Sequence, residues 1–326
     1  MGTLKLEVLD REVVAVWNDD LKEKFSDPYY CGAKQQLLLK KLAVFALNVV
    51  RDDLSCFDPE SHYVVRILEG GKYYFVPEAY REAFGREVAV GDIKIRSRFK
   101  YSKEDVVAEV VDRSRMALPR REELLVIVGD TVASGKTMVT LLEHLKGEVE
   151  RFKLVLLAIA TLKGVERIRA WCSKHGVELK VVAYGGLLGL GPNKTDMTLG
   201  YPPNRIPEEV KRYAVSVNGE EIAEKLCVIG DFTDSNANLT SYYAERLVQL
   251  WEIGVESESE ETKRRCKQLI ARGYRLLSNV ANDEEVEALI AEQHRRRLKL
   301  LGIEDNVKSP SLKHILELKD VDTVGR

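Results

Sequence analysis

Residues 124–137 have the sequence LLVIVGDTVASGKT, an apolar run that leads into an acidic residue and a turn of small residues. Helical spacing of apolar residues begins directly after the turn, at Met138, Val139, Leu141, Leu142 and Leu145. The stretch therefore predicts a buried strand, a tight loop and a helix. Such a loop binds phosphate well, because the first amides of the helix lack intrahelical partners and the helix dipole is positive there. Gly135 lets a ligand approach the main chain.

Asp130 stands directly before this loop. A carboxylate at that point can accept hydrogen bonds from sugar hydroxyls or help to hold a magnesium ion. Ribose phosphate is therefore the first ligand to consider.

Two other interpretations of the 129–137 loop stay open. One is an ordinary strand-to-helix turn, and the other is a P-loop whose register differs by one residue, since five residues rather than four separate Gly129 from Gly135.

Strands and helices are predicted to alternate along the first half of the chain. Apolar runs predict strands at 62–68, 88–95, 124–128, 153–160 and 177–183. Helical spacing predicts helices at 34–50, 76–84, 104–117, 138 to about 146, and 164–175. This order indicates an α/β fold with a doubly wound, mainly parallel sheet. Ligands bind at the carboxyl ends of strands in such sheets, where the 129–137 loop falls.

The sequence changes character after residue 183. Gly, Pro and Asn are concentrated over 184–218, which predicts a long functional loop, a hood or a linker. A short strand is predicted from Lys225 to Ile229, and helical spacing dominates from 240 onward. The predicted organisation is an N-terminal segment (1–33), an α/β domain (34–239, with a hood or insert at about 184–224) and a C-terminal helical extension (240–326).

Composition limits the classes of partner. The 326 residues are 45% hydrophobic and 31% charged, with a net charge of −2, so no global field attracts nucleic acid. We expect neither a nucleic-acid nor a membrane partner, because no uncharged apolar stretch is long enough to span a bilayer. Five scattered cysteines indicate a reducing compartment, and the opening residues do not read as a signal peptide, so we expect a cytoplasmic protein.

The 124–137 stretch resembles the 5-phosphoribosyl-1-diphosphate (PRPP) loop of type I phosphoribosyltransferases. That motif has four apolar residues, two acidic residues, three variable positions and then Thr/Ser-Gly. Asp130 takes the second acidic position and Ser134-Gly135 the final pair, while Gly129 departs from the first acid. The resemblance implies that Asp130 holds the ribose hydroxyls and a Mg²⁺ ion. It also implies that the 5′-phosphate lies on Thr131, Val132, Ala133, Ser134, Gly135, Lys136 and Thr137.

Two upstream landmarks occur in the order of this family. Gly70-Gly71 follows the strand at 62–68, where the family has a loop that wraps pyrophosphate, although Glu69 stands where a cation is common. A basic stretch, 96–103, precedes the PRPP strand, where the family has a flexible loop that closes over the reaction centre. Arg96 and Arg98 are the catalytic candidates there, because mobile cations can stabilise the departing pyrophosphate. A glycine turn and a solvated basic turn are the simpler interpretations.

The downstream layout is similar to that of uracil phosphoribosyltransferases. Residues 160–167 resemble their loop–helix junction, and residues 230–234 keep part of their Gly-Asp-x-Gly-Asp base loop. The resemblance implies that Gly230, Asp231 and Asp234 contact the nucleobase, although Thr233 replaces the central Gly. A helix cap or Asx turn is an equally good interpretation of 230–236.

The implied activity is transfer of the ribose 5-phosphate of PRPP to a nucleobase, with uracil favoured, Mg²⁺ as cofactor and release of pyrophosphate. The implied partners are PRPP and a base or nucleotide, and a homo-oligomer, a dimer in the simplest case. A non-catalytic regulator that senses PRPP or a nucleotide on the same fold is the alternative, because Glu69 and Gly129 both depart from the family pattern. A P-loop nucleotidase or kinase is a third option.

Overall fold

We describe the protein from a computed structural model, which covers residues 3–68, 70–99, 106–229, 236–303 and 307–319; side chains at 97–99, 106, 107, 236 and 237 lie outside this description. The strands are β1 Lys5–Val8, β2 Val13–Trp17, β3 His62–Leu68, β4 Ala89–Phe99, β5 Val106–Arg115, β6 Glu123–Val132, β7 Arg151–Thr161, β8 Glu178–Leu190 and β9 Met197–Thr198.

The helices alternate with the central strands and then dominate the C-terminal part. They are α1 Asp19–Ser26, α2 Gly32–Val49, α3 Arg51–Ser55, α4 Val76–Phe84, α5 Lys136–Glu148, α6 Leu162–His175, α7 Glu208–Asn218, α8 Glu220–Lys225, α9 Asn236–Glu256, α10 Glu260–Ser278, α11 Asp283–Leu300 and α12 Leu312–Glu317. Short 3₁₀ turns occur at Pro59–Ser61 and Gly70–Tyr74. Across the described ranges, no helix combines the length and the apolar composition that a membrane crossing needs.

The chain divides into two units. The first comprises Met1–Lys22, Gln36–Leu190 and Pro202–Val210. The second comprises Glu23–Gln35, Gly191–Tyr201 and Lys211–Arg326. The two units are interleaved along the sequence.

The first unit contains a sheet with the strand order β1-β2-β8-β7-β6-β3-β4-β5. The interior pairs β2-β8, β8-β7, β7-β6, β6-β3 and β3-β4 are parallel, and the outer pairs β1-β2 and β4-β5 are antiparallel. Helices α5 and α6 cover one face, where side chains such as Val126, Leu141, Leu156 and Val165 are fully buried. The predicted α/β fold with a mainly parallel sheet is confirmed.

The second unit has a helical core. Apolar side chains of α9, α10 and α11, among them Leu247, Ile270 and Ile290, are fully buried in one cluster. The helical spacing predicted from residue 240 onward is confirmed. A capping box begins α11, because Asn282 accepts from the Glu285 amide at 3.0 Å and the Glu285 carboxylate accepts from the Asn282 amide at 2.9 Å.

Two element predictions are wrong. Residues 104–117 were predicted to be helical, but Val106–Arg115 is strand β5, which pairs antiparallel with β4. Valines at 106, 107, 110 and 111 fit helical spacing, yet β-branched side chains favour a strand when a partner strand is available.

The second error concerns Lys225–Ile229, which was predicted to be a strand. Lys225 ends α8, and no strand is present at 226–229. Leu226, Cys227 and Val228 are buried, and the Val228 amide donates to Met197 O at 2.9 Å. The apolar run therefore indicates that these residues are buried, but it does not show that they form a strand. The pattern of apolar residues cannot distinguish a short buried strand from a buried coil.

Candidate functional site

The candidate site begins where β6 ends in the middle of the sheet. β6 continues through Asp130 to Val132, and only residues 133–135 separate it from α5. Gly135 is the N-cap of α5, without a side-chain cap, at φ 75°. A Cβ on Gly135 would lie 2.5 Å from Gly164 O. Two features of the structure therefore require glycine at this position: the left-handed backbone conformation, and the closeness of α6, which leaves no room for a side chain.

The loop is oriented by residues at the start of α6. The Thr161 hydroxyl donates to Ala133 O, and Arg167 Nη1 donates to Ser134 O at 2.8 Å. Because the N–H and C=O of a trans peptide point in opposite directions, the amides of Ser134 and Gly135 are directed away from α6. The two side chains thus hold the loop with its N–H groups outward, on the side of the α5 N-terminus.

Thr161, Gly164 and Arg167 have a role in the site that the sequence analysis missed. Thr161 is the N-cap of α6 and accepts from the Gly164 amide at 2.9 Å. A Cβ on Gly164 would lie 2.5 Å from Ala133 O. A Thr followed three residues later by Gly at a strand end indicates a cap, but the packing of that cap against residue 133 is a tertiary contact that no local pattern reveals.

Asp130 is the buried acidic group of the site. The residue is only 9% exposed, near the carboxyl end of β6. Burial raises the pKa of the Asp130 carboxyl to about 7, and the hydrogen bond from the Thr131 amide opposes this rise. A buried carboxyl with a strongly raised pKa at a strand end is a typical functional-site group.

The Gly70–Tyr74 turn lies directly over this strand end. A Cβ on Gly70 would be 3.6 Å from Asp130 Oδ1, and a Cβ on Gly71 would be 3.2 Å from Gly129 O. The structure therefore brings the predicted residues Gly70 and Gly71 together with Asp130 near the end of β6. Which ligand groups these residues contact stays a prediction.

Tyr74 explains why residue 129 is not acidic. A Cβ on Gly129 would lie 2.5 Å from Tyr74 Cβ and 2.6 Å from Val76 Cγ2, so no side chain fits there. The Tyr74 hydroxyl bonds to Thr131 Oγ1 at 2.9 Å and accepts from the Ile159 amide at 3.3 Å. Its ring stacks on Tyr184 with centroids 6.0 Å apart. Burial raises the pKa of Tyr74, which keeps the hydroxyl protonated.

Arg96 and Arg98 lie in β4 and not in a loop, which corrects the predicted start of the basic loop. Their Cα partners on β5 are Glu109 and Val107. Since β3 pairs Val65 with both Val128 of β6 and Gly91 of β4, Ile93 is level with Asp130. Arg96 is three residues further, about 10 Å beyond Asp130 along the strand direction. Its side chain is exposed, and the side chain of Arg98 lies outside the described residues.

The predicted base loop cannot be placed. Gly230, Asp231 and Asp234 lie outside the described residues, as do Glu69 and the remainder of the basic stretch, 100–103. Within the part of the chain that is described, no three or more His, Cys, Asp or Glu side chains form a ready-made metal cluster. Asp130 as a magnesium ligand therefore stays a prediction.

Comparison with known proteins gives phosphoribosyltransferase structures. No family model matches the sequence, and no curated protein matches it. A hypoxanthine phosphoribosyltransferase from Staphylococcus aureus is 12% identical over 38% of this chain and 65% of its own, with a TM-score of 0.29. An L. donovani hypoxanthine-guanine enzyme is 14% identical over 48% and 86%, with a TM-score of 0.31. An adenine enzyme from Trypanosoma brucei, in complex with AMP, pyrophosphate and ribose-5-phosphate, is 12% identical over 55% and 86%, with a TM-score of 0.37.

Proposed function

We propose that this protein binds PRPP at the carboxyl end of β6 and transfers its ribose 5-phosphate to a nucleobase. The observation that carries the proposal is the position of Asp130. The carboxyl group is buried beside Gly70 near the end of β6, and the loop that follows this strand has its amides at Ser134 and Gly135 turned outward. A carboxylate for ribose hydroxyls and amides for a phosphate therefore lie on one short stretch of chain.

The roles of the residues follow from the chemistry of the ligand. The amides at the end of the loop and the start of α5, from Ser134 to Thr137, would bind the 5′-phosphate, because Thr131 and Val132 belong to β6 and the Thr131 amide bonds the Asp130 carboxyl. Asp130 would bind the ribose hydroxyls. Gly70 and Gly71 would accommodate the pyrophosphate, because neither has a side chain between Asp130 and the ligand. Displacement of pyrophosphate from C1 by a ring nitrogen needs positioning and charge stabilisation rather than a covalent nucleophile. Arg96 and Arg98 would stabilise the leaving group.

Magnesium fits this arrangement as a cofactor. Mg²⁺ keeps several waters and is commonly held by one or two carboxylates plus substrate phosphates. The single carboxylate of Asp130 meets that requirement without a protein-built cage. The ion would neutralise the pyrophosphate, and Asp130 would supply the protein ligand.

Binding can be tested with PRPP and Mg²⁺ by calorimetry. Asp130→Asn keeps the shape and removes the charge, so it should weaken binding by about 1.5–3 kcal/mol. Gly135→Ala should also weaken binding, because its Cβ would meet Gly164 O. Gly147→Ala is the matched control in the same helix, since a Cβ there meets nothing within 4 Å. Unchanged affinity in both Asp130→Asn and Gly135→Ala would place the ligand elsewhere.

We further propose which nucleobase accepts the ribose 5-phosphate. Uracil is favoured by the resemblance of 230–234 to the base loop of uracil phosphoribosyltransferases. Incubation with PRPP, Mg²⁺ and each of uracil, orotate, adenine, guanine, hypoxanthine and xanthine should release pyrophosphate with one class of base only. Buried donors and acceptors left unpaired by a mismatched base each cost about 1–3 kcal/mol. Turnover with a purine would correct the base and keep the reaction.

A sensor of PRPP or a nucleotide is the second candidate function. The packing of Tyr74 against Gly129 favours it, because the site has one acidic residue where the family has two. The same assay separates the two functions. Tight binding of PRPP without consumption of any base would establish the sensor.

A further inference from the structure

Strand β1 is an open edge of the sheet in the first unit. It pairs antiparallel with β2 on one side, and no described strand lies on its other side. All four residues of β1 are exposed, and the apolar side chains among them, Leu6 and Val8, are 54% and 65% exposed. Natural proteins usually cover or disrupt such an edge, because its amides and carbonyls can pair with another chain. The exposed apolar edge therefore requires an explanation.

The hydrogen bond at the β1–β2 turn identifies which main-chain groups of β1 point outward. The Leu9 amide donates to Val13 O at 3.0 Å, so Leu9 directs its main-chain groups toward β2. Successive residues of a strand direct these groups to opposite sides. Leu6 and Val8 therefore direct their amides and carbonyls toward the open edge.

One face of this edge is apolar. Side chains alternate between the faces of a sheet, so Leu4, Leu6 and Val8 share a face. Leu4 lines a cavity of about 380 Å³ together with Leu37 and Val44 of α2, and Leu37 is 56% exposed. The three side chains of the edge thus continue an exposed apolar surface on the first unit.

The other face of the edge carries one positive and one negative charge. Lys5 Nζ bonds Glu209 at 2.6 Å, and Glu209 also bonds Lys22 Nζ at 2.7 Å. Glu209 therefore keeps a cation when Lys5 turns to a second carboxylate. Glu7 is exposed, and within the described ranges it has no ion-pair partner.

We propose that two copies of this chain pair through β1, antiparallel and with Leu6 opposite Leu6 of the second copy. Outward-directed residues then face each other, so Leu6 forms a hydrogen-bonded pair with its equivalent. On the apolar face, Leu4 of each copy lies opposite Val8 of the other. On the charged face, Lys5 of each copy lies opposite Glu7 of the other, in a non-hydrogen-bonded pair, where side chains are closest. Two-fold symmetry makes each of these heterotypic contacts occur twice.

The pattern of main-chain groups and charges selects this register. A shift by one residue would place Leu6 opposite a residue whose main-chain groups point toward β2, which prevents hydrogen bonding across the edge. A shift by two residues in one direction would place Lys5 opposite Lys5 of the second copy. The same shift in the other direction would place Glu7 opposite Glu7. Like charges directly opposite each other destabilise a strand pair, whereas the proposed register joins opposite charges.

Sedimentation velocity of the full chain over a concentration series measures the dimer. Because the paired strand is short, we expect a weak dimer, with a Kd below about 100 µM. Glu7→Lys opposes like charges at both charged pairs and should raise this Kd at least tenfold. Glu143→Lys is the matched control, because it makes the same change of charge at an exposed position of α5 in the same unit, and it should dimerise like the wild type. Leu6→Pro removes an outward amide, leaves the β1–β2 bonds in place and should also raise the Kd at least tenfold.

A mixture of two variants tests the register itself. Lys5→Glu and Glu7→Lys each oppose like charges in their own dimers, so each should be mainly monomeric. In a 1:1 mixture both charged pairs become complementary again, and the heterodimer should form. Structural damage cannot produce this rescue, so it identifies the pairing even if Leu6→Pro does not fold.

Three results would overturn the proposal. The first is a wild type that stays monomeric at about 100 µM, which would leave the edge to a partner of different chemistry. The second is a dimer that neither Glu7→Lys nor Leu6→Pro weakens, which would place the interface on another surface. The third is a 1:1 mixture of folded Lys5→Glu and Glu7→Lys chains that stays monomeric. The proposal uses residues outside the β6 site, so it does not depend on the proposed binding of PRPP.

Discussion

Asp130→Asn should make the ligand-free protein more stable, and increasingly so as the pH rises. The pKa of the folded-state carboxyl is about 7, raised by burial from an ordinary value of 3.8. Between these two values the folded protein keeps a proton that the unfolded chain has lost. The free energy of unfolding of the wild type therefore falls as the pH rises from about 4 to about 7, and the loss is complete above pH 7. Asparagine cannot ionise, so the variant has no such loss.

The size of the effect follows from the two pKa values. The difference between 3.8 and about 7 corresponds to about 4 kcal/mol at 1.36 kcal/mol per pKa unit. The variant should exceed the wild type by about 4 kcal/mol at pH 8 and by about 1.5 kcal/mol at pH 5. These figures are upper limits, because Asp130 is still 9% exposed to solvent, which screens its charge.

Urea unfolding at pH 5, 6, 7 and 8 measures this difference. Asp52→Asn is a suitable control, because Asp52 is an exposed residue of α3, and its effect should stay within about 0.5 kcal/mol at every pH. A stability difference that does not change with pH, or an Asp130→Asn variant less stable than the wild type at pH 8, would refute the reasoning. Either result would mean that the ionised carboxylate is compensated inside the folded protein.

Three further predictions test the surroundings of the site and the helical unit. Gly129→Ala places a Cβ 2.5 Å from Tyr74 Cβ and should lower the free energy of unfolding by about 1–3 kcal/mol, whereas Gly147→Ala, in open space, should not lower it; thermal unfolding compares the two. Arg96→Ala should lower kcat for pyrophosphate release more than it raises KM for PRPP, and an effect on KM alone would make Arg96 a binding residue. Asn282→Ala removes the capping box of α11 and should cost about 1 kcal/mol in urea unfolding, which a value near zero would contradict.

The α/β fold and the core of the candidate site were predictable from local signals. The apolar run at 124–128, the small-residue loop and the helical spacing after it agree with one another, and the structure confirms the strand, the loop and α5. The valines of 106–111 gave a conflicting signal, since their spacing suits a helix and their branching suits a strand. The antiparallel pairing with β4 decides the outcome, and that pairing is not encoded locally.

The rest of the site depends on contacts between distant residues. Arg167 orients Ser134 from 33 positions away, and Tyr74 bonds Thr131 from 57 positions away. A sequence pattern shows that Gly129 departs from an acidic motif, but it cannot show that the space for a side chain is already filled.

The site with one carboxylate has a consequence for the proposed binding of PRPP. Two adjacent carboxylates would repel each other and would need a cation before a sugar could bind. Here Tyr74 occupies the space that an acidic side chain at position 129 would need, and its hydroxyl bonds Thr131. The remaining group, Asp130, has a pKa of about 7, so near neutral pH it is partly protonated without ligand. A magnesium ion or a ribose that binds the ionised carboxylate must then displace the proton from Asp130. Below pH 7, binding should therefore release this proton to the solvent. Calorimetry of PRPP and Mg²⁺ at pH 6.5 in buffers of different ionisation enthalpy measures this proton, and Asp130→Asn should abolish it.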